Sequence, residues 1–319
     1  MAGLGVTRGF WLLALAAGYA PVAAAQGATH VIVVTGLSAE PRFAKVFSTA
    51  AATIVDAART QWHVADSNLV YLSEDPAADA KRMTGKATKE TIALSVTSLT
   101  KRIRSGDLVL VVLIGHGSGE LAASAVNVPG PDPTAADYAS WLDMLKPATI
   151  VFVNAATGSG DFAKILAAPN RVIVTATKTG MEKNESMFAS VFSLGLTGTD
   201  ADANKDGRVS VAEAFAFTKT QIAKAYESSN RLLTEHAVLA DSSGIASRVA
   251  FGGTASSADP RVTALIGERR ILESSLDSLR RIKPTMDSTA YSHELERLLV
   301  QLATKTQAIN ALQKGGGKP

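Results

Sequence analysis

The sequence has no cysteine among its 319 residues. Without thiols the chain forms no disulfide, holds no metal through thiolates and offers no cysteine nucleophile to an enzyme. Aromatic residues are scarce, at 6%, and the net charge of +3 is too small to indicate a nucleic-acid partner. Apolar residues, in contrast, make up 46% of the chain. That fraction supports a full core and argues against a disordered protein.

The first 25 residues have the pattern of a secretory signal peptide. Arg8 precedes the apolar run FWLLALAAGYAPVAAA, which ends in three alanines before Gln26. The run is short and is interrupted by a glycine and a proline, so it makes a poor membrane span. We therefore expect cleavage near Ala25-Gln26, a periplasmic or secreted mature protein, and no stable membrane span after cleavage.

Patterns of buried strands alternate with helical patterns through residues 26–243. Aliphatic and β-branched runs predict strands at 30–36, 68–72, 108–114, 149–154, 171–176 and 236–240. Apolar residues at helical spacing predict helices at 41–60, 88–104, 134–145, 161–167, 184–196 and 211–228. The segments at 73–87 and 126–131 are predicted to be loops. This order predicts an α/β fold with a doubly wound, mostly parallel sheet of about six strands and helices on both faces.

Two strand ends carry the residues of chemical interest. The run LVLVVLIGHGSGE, residues 108–120, breaks from a buried strand into His116 and Gly117. The strand TIVFVN, residues 149–154, runs into an elbow of small residues at 155–160. If these strands are neighbours, their carboxyl ends lie side by side, where open α/β sheets place their ligands.

This pair of strand ends resembles the caspase-like fold, and most closely the legumain-type (asparaginyl) peptidases and their bacterial relatives. In that family the histidine before glycine is the general base, and the elbow carries a nucleophilic cysteine in an acidic-Ala-Cys-x-(Ser)-Gly pattern. The resemblance covers roughly residues 29–243. It implies a general base at His116, an oxyanion-hole N–H at Gly117 and the nucleophile position at Ala156.

Alanine at position 156 removes the attacking group, because a methyl group cannot act as a nucleophile. The resemblance therefore implies an exported pseudo-peptidase that binds a peptide or protein partner without cleaving it. Three alternatives stay open. The protein is a hydrolase that uses Thr157 or Ser159 with His116, its elbow holds a small anion on backbone N–H groups, or it is a structural envelope protein whose loops bind nothing.

A second motif predicts a calcium site independently of the first. The segment DANKDGRVSVAE, residues 202–213, matches the twelve-residue EF-hand loop, with glycine at the sixth position. The predicted ligands are Asp202, Asn204, Asp206, the carbonyl of Arg208, Ser210 through water, and Glu213. Only one such loop is present, and no good helix end precedes it. We therefore expect a structural Ca²⁺ site with a dissociation constant of about 10⁻⁴ to 10⁻³ M.

The C-terminal part of the chain has a different character. Residues 244–260 are rich in serine, glycine and alanine and are predicted to be a linker. Residues 261–314 carry leucines at helical spacing and a proline at Pro284, which predicts a helical hairpin or short coiled coil. The hairpin either folds back on the core or meets a partner helix in an oligomer. Residues 315–319 are a tail.

Overall fold

The computed structural model describes residues 27–252 and 260–315. The predicted signal peptide, its cleavage site, residues 253–259 of the predicted linker and residues 316–319 of the tail lie outside the described residues.

Seven strands form one sheet in the order β3-β2-β1-β4-β7-β8-β9. All neighbouring pairs are parallel except β8 with β9. A separate antiparallel pair joins β5 and β6. The strands are β1 Thr29–Thr35, β2 Leu69–Ser73, β3 Gly85–Lys86, β4 Leu108–Ile114, β5 Gly117–Ser118, β6 Ala125–Val126, β7 Thr149–Asn154, β8 Arg171–Thr175 and β9 Val238–Ala240.

Helices cover both faces of the sheet. The α-helices are α1 Pro41–Thr60, α2 Lys89–Thr97, α3 Ala135–Asp143, α4 Asp161–Ile165, α5 Phe188–Thr197, α6 Val211–Ser228, α7 Pro260–Ile282 and α8 Ser288–Gly315. Side chains of α1, α5 and α6 form one apolar cluster with the sheet, and those of α2, α3 and α4 form another. The predicted doubly wound, mostly parallel α/β fold with helices on both faces is confirmed.

The alternation of side chains along each strand explains why both faces are apolar. In β1, Val31 and Val33 enter the cluster under α1, while Ile32 and Val34 enter the cluster under α2 and α3. Successive side chains of a strand point to opposite faces, so a strand between two helical layers needs an unbroken apolar run. The central strand β4 is fully buried along all seven residues for the same reason.

The sheet differs from the prediction at its edges. The prediction of about six strands misses β3, which lies at one edge of the sheet. This strand is in the segment predicted to be a loop, and Thr84, just before it, donates its N–H to the Tyr71 carbonyl at 2.7 Å. Residues 126–131 are also predicted to be a loop, but the first of them, Val126, belongs to β6. Strands of two residues carry no detectable apolar run, so sequence periodicity misses them. The helix predicted over 88–104 ends at Thr97 and continues as a 3₁₀ turn over Ser98–Lys101.

The predicted linker is packed against the domain as far as it is described. Ala246, Ala250 and Phe251 are buried. The backbone N–H groups of Val211 and Ala212, which start α6, donate to carbonyls in this segment at 2.9 and 3.0 Å. Its small residues allow this close backbone approach. Residues 244–252 are thus part of the domain, and the linker prediction is wrong for them.

The predicted helical hairpin is present. Helices α7 and α8 pack on each other through two apolar clusters of their own, one around Ile266 and Ile309 and one around Leu276 and Leu298. The leucine stripe is thus used within the hairpin. No helix in the described chain is long and apolar enough to span a membrane.

Candidate functional site

The two strand ends of interest are neighbours in the sheet. Strand β4 pairs with β7 in parallel, with Leu113 opposite Asn154. The N–H of Ala155 donates to the Leu113 carbonyl at 2.8 Å, which extends the pairing into the elbow. The carboxyl edge of the sheet therefore brings the loop at 115–120 against the elbow at 155–160.

Aromatic contacts hold the imidazole of His116. Its ring lies edge-on to Phe43, with centroids 4.7 Å apart, and to Phe47, at 5.2 Å. Both phenylalanines belong to α1, and the histidine is half-buried. Among the described residues, no carboxylate hydrogen-bonds to this ring. The histidine thus lacks the orienting acceptor that positions a general base in hydrolytic triads.

The N–H of Gly117 is already bonded within the protein. It donates to the Oγ1 of Thr157 at 3.2 Å. A Cβ at position 117 would lie 2.2 Å from the carbonyl oxygen of Thr157, so only glycine allows the two loops to come this close. The expected oxyanion donor is therefore engaged by the hydroxyl oxygen of one alternative nucleophile.

Ala156 and His116 lie on opposite sides of the sheet. Ala156 is fully buried in the cluster under α3 and α4, whereas the histidine ring packs on α1. Its neighbour Ala155 belongs to the α1 cluster instead. The structure thus brings the main chains of the two loops together without bringing the Ala156 methyl to the imidazole.

The second alternative nucleophile is also in structural use. The Ser159 side chain is 1% exposed. Its Oγ accepts hydrogen bonds from the N–H groups of Ala176 and Thr177, at 3.1 and 3.3 Å. A hydroxyl buried in such a network has no route to a substrate carbonyl.

The elbow has little capacity left for a bound anion. The N–H of Ala156 donates to Asn154 Oδ1 at 3.1 Å, and that of Gly160 donates to Thr177 Oγ1 at 3.0 Å. Gly158 adopts a left-handed backbone with φ of 64°, and its N–H donates to the Glu182 carbonyl at 2.8 Å. Anion sites at helix starts depend on N–H groups without a partner. These three donors are already engaged.

Two acidic residues that sequence reasoning missed tie the edge loops together. Asp161 Oδ2 accepts from Leu121 N–H at 2.8 Å and from Ser124 Oγ at 3.0 Å, which fixes the loop after β5 to the start of α4. Glu182 Oε2 lies 3.3 Å from His236 Nδ1. Single acidic residues in a loop or at a helix start carry no periodic signal, so only the tertiary structure reveals these contacts.

Glu235 caps the start of α5. Its carboxylate accepts hydrogen bonds from Met187 N–H at 2.9 Å and from Tyr226 Oη at 3.0 Å. Burial raises the pKa of the Tyr226 phenol, which therefore stays protonated and donates. A carboxylate at a helix start is favoured by the free N–H groups there. The predicted start of α5 is residue 184, but the helix begins at Phe188. The contact with Glu235 explains this difference.

Several large apolar side chains are exposed in loops that follow the carboxyl ends of the strands. Leu121 is 71% exposed and Met181 69% exposed. Leu37 and Met187, in loops at the same edge, are each 38% exposed. These four residues follow β1, β5 and β8 in the chain, and His116 follows β4.

The predicted calcium loop has the compact shape of a chelating loop. Asp202 accepts from the N–H groups of Asp206 and Gly207, at 3.1 and 2.9 Å, and Asn204 Oδ1 accepts from Asp206 N–H at 2.9 Å. Lys205 and Gly207 have φ of 59° and 79°. The left-handed conformation at Gly207 makes the sharp turn that the sixth loop position requires.

Glu213 closes the loop onto the helix that follows. Its Oε2 accepts from Ser210 N–H at 2.9 Å, and Ser210 Oγ accepts from Glu213 N–H at 3.2 Å, a capping box at the start of α6. Its Oε1 accepts from Asn204 N–H at 3.2 Å. The first and last predicted ligands, Asp202 and Glu213, therefore both accept hydrogen bonds from backbone N–H groups in the middle of the loop.

An arginine from the hairpin also reaches this loop. Arg269 of α7 is 1% exposed. Its Nη1 and Nη2 donate to the carbonyl and Oδ1 of Asn204, at 2.7 and 2.8 Å. A cavity of about 530 Å³ lies beside this contact, between the loop, α6 and α7.

In the described part of the chain, no group of three or more His, Cys, Asp or Glu side chains is arranged to hold a metal ion. Three of the predicted ligands, Asp202, Asp206 and Glu213, are of these types, and the other three are not. The calcium site therefore stays a prediction.

Comparisons with known proteins identify no family for this chain. No protein-family model matches it, and neither does any curated protein. Protein GSU0716 from Geobacter sulfurreducens, a solved structure, is similar with a TM-score of 0.45 and 8% sequence identity, over 67% of this chain and 92% of that chain. A similarity of this size assigns neither a family nor an activity.

Proposed function

We propose that this protein is an exported, calcium-stabilised, catalytically inactive relative of the caspase-like peptidases. It binds a peptide or protein partner at the carboxyl edge of its sheet and does not cleave it. One observation carries the proposal: the Gly117 N–H and the Thr157 hydroxyl bond to each other, while Ala156 is buried on the far side of the sheet from His116.

This arrangement supports inactivity in two ways. Cleavage needs a nucleophile next to its base, and loss of the nucleophile in comparable catalytic sets costs on the order of 10⁶ in rate. Both alternative hydroxyls are buried and hold loops in place, because Thr157 accepts from Gly117 N–H and Ser159 accepts from two backbone N–H groups. A hydrolase that used them would have to break the contacts that join the edge loops.

The exposed apolar residues support binding at this edge. Leu121 and Met181 extend from loops that internal hydrogen bonds hold in place, through Asp161 and Glu182. Rigid loops lose little conformational entropy when a partner docks. Apolar side chains grouped on such loops are typical of interaction surfaces. An extended peptide or a partner's loop suits this edge.

Two observations support calcium in the loop. Asp202 and Asp206 are each 7% exposed. Buried carboxylates need compensation by a cation or by hydrogen-bond donors, and in this loop Arg269 and backbone N–H groups supply part of it. The loop also holds the turn that chelation requires at Gly207. A bound Ca²⁺ would be held by Asp202, Asn204, Asp206, the Arg208 carbonyl, Ser210 through water, and Glu213, and it would fix the start of α6.

A peptide library provides the test of activity. We expect the wild-type protein, with 5 mM Ca²⁺ present, to release no more cleavage products than His116→Ala, as measured by mass spectrometry. Products that the wild type forms and His116→Ala does not form would overturn the proposal, because His116 would then act as a base. (The Ca²⁺ concentration is chosen to be about fivefold above the weaker expected dissociation constant.)

Capture of peptides from the same library on the immobilised protein provides the test of binding. For the tightest peptides we expect Met181→Glu to weaken binding by about tenfold or more, since a buried apolar contact is lost and a charge is introduced. Leu94→Glu is the matched control, because Leu94 is 66% exposed on α2, away from this edge. No captured peptide, or equal losses in both variants, would contradict binding at the carboxyl edge.

A further inference from the structure

A single buried arginine connects the hairpin to the calcium loop. Besides its hydrogen bonds to Asn204, the Arg269 Nη2 lies 3.5 Å from Asp206 Oδ2. Its Nε lies 3.4 Å from Glu273 Oε1, one turn along α7. The guanidinium is therefore a buried cation placed on two of the predicted calcium ligands.

The two helices of the hairpin pack mainly on each other. Of the helices and strands described, only α8 and the short turn after α7 pack closely on α7. The apolar clusters of the hairpin are separate from the two clusters of the sheet. Undocking the hairpin would therefore leave both cores intact. The contact of Arg269 with the loop is one buried polar attachment of the hairpin to the domain.

Calcium and Arg269 need the same oxygens. A Ca²⁺ ion bound to Asn204 Oδ1 at the usual distance of roughly 2.3–2.6 Å would lie within about 5 Å of the Arg269 Nη2. Two cations this close in a buried site repel each other strongly. A bound ion would also take up the charge of Asp206, and a buried guanidinium is stable only with anionic or hydrogen-bonding partners.

We propose that Arg269 and Ca²⁺ are alternative cations for this loop, so that calcium binding releases the hairpin from the domain. The proposal rests on the calcium site proposed above. When calcium is scarce, Arg269 compensates the loop and docks α7. When calcium binds, the loop keeps its shape and the arginine leaves. The coupling is reciprocal, so the docked hairpin weakens calcium binding by the factor by which calcium weakens docking.

Calorimetric titration of the full chain with CaCl₂ is the first test. We expect Arg269→Ala to bind Ca²⁺ about tenfold more tightly than the wild type, since the competing cation is gone. Arg269→Lys keeps a charge but loses the paired hydrogen bonds, so its affinity should fall between the two. Arg297→Ala is the control for loss of one positive charge, because Arg297 pairs with Glu294 on the exposed side of α8.

Fluorescence energy transfer is the second test, and the absence of native cysteine makes the labelling specific. The double variant Lys224→Cys and Glu296→Cys places dyes on exposed positions of α6 and α8. We expect transfer to fall when CaCl₂ is added and to stay unchanged with MgCl₂. In the Arg269→Ala background, transfer should be low from the start and insensitive to calcium.

The outcomes separate the two proposals. Calcium binding with equal affinity in the wild type and Arg269→Ala, and no change in energy transfer, would overturn the competition and leave the calcium site standing. Weaker binding by Arg269→Ala would also overturn the competition, because the arginine would then help to form the site. No binding by any variant would contradict the calcium site itself, and the competition with it.

Discussion

A buried histidine lies at the amino edge of the sheet, in a polar cluster that the sequence patterns do not reveal. His30 is 3% exposed, and its Nε2 lies 3.6 Å from Asp107 Oδ2. The Asp107 carboxylate is already used by the N–H groups of Ala28 and Arg104, both at 2.8 Å. Burial is the largest influence on His30 and lowers its pKa, and Asp107 reverses the effect only in part. The imidazole is therefore neutral in the folded protein at neutral pH.

This lowered pKa predicts a pH-dependent stability. An unfolded chain binds a proton at His30 as the pH falls below roughly 6.5, whereas the folded protein does not until the pH is lower. The free energy of unfolding should therefore fall as the pH goes down from about 6.5. We expect urea denaturation at pH 7.5 and 5.5 to show a larger drop for the wild type than for His30→Gln. His293→Gln, on α8, is the control and should keep the wild-type drop. An equal drop in all three proteins would contradict His30 as the cause of the pH dependence.

Single residues also mark the limit of prediction from sequence. The position of His116 at the end of β4 follows from the apolar run before it, because such a run forms a buried strand and the glycines end it. The bond from Gly117 to Thr157 does not follow, since it depends on how closely two loops approach. Nor could the sequence alone separate Ala155 from Ala156, which enter different clusters.

At the scale of elements, residues 244–252 show how composition can mislead. Serine, glycine and alanine are typical of flexible linkers, but small residues also allow backbones to pack closely. Here Ala246 and Phe251 are buried, and the Phe251 ring centroid lies 5.0 Å from that of Trp62. Long, periodic elements such as α6 were predicted with the bounds they have. Short edge strands and tightly packed segments depend on tertiary contacts and were missed.

The packing of this segment gives a direct test of its assignment to the domain. We expect Phe251→Ala to reduce the free energy of unfolding by about 3–5 kcal/mol, because it removes a buried ring and leaves a cavity against Trp62. Leu232→Ala is the control and should change it by less than about 0.5 kcal/mol, since Leu232 is 89% exposed. Urea denaturation measures both. A change below about 1 kcal/mol for Phe251→Ala would indicate that the segment is a linker after all.

At the scale of the whole molecule, the chain consists of a two-faced α/β domain and a hairpin with its own apolar clusters. The calcium loop lies where the two meet, and it also begins α6, which packs on α5 and on residues 244–252. A cation bound there would act on the domain through Glu213, which caps α6, and on the hairpin through Asn204, which contacts Arg269. The loop and the cavity beside it are thus lined by residues of both parts of the molecule.

Calcium binding at this loop predicts a stabilisation of the whole domain. A ligand that binds only the folded state adds RT ln(1 + [L]/Kd), so 10 mM Ca²⁺ should add about 1.4–2.7 kcal/mol for dissociation constants of about 10⁻³ to 10⁻⁴ M. Thermal denaturation should show a higher midpoint with CaCl₂ than with EDTA. Glu213→Gln should abolish the shift, because the loop loses its closing carboxylate. Glu227→Gln, on the exposed end of the same helix, should keep it.

The stabilisation is expected even though calcium is proposed to release the hairpin. Release lowers the affinity for calcium, but calcium still binds the folded protein and therefore still stabilises it. A denaturation midpoint that is the same in CaCl₂ and EDTA would contradict the calcium site. Arg269 would then be the cation that compensates the loop under all conditions.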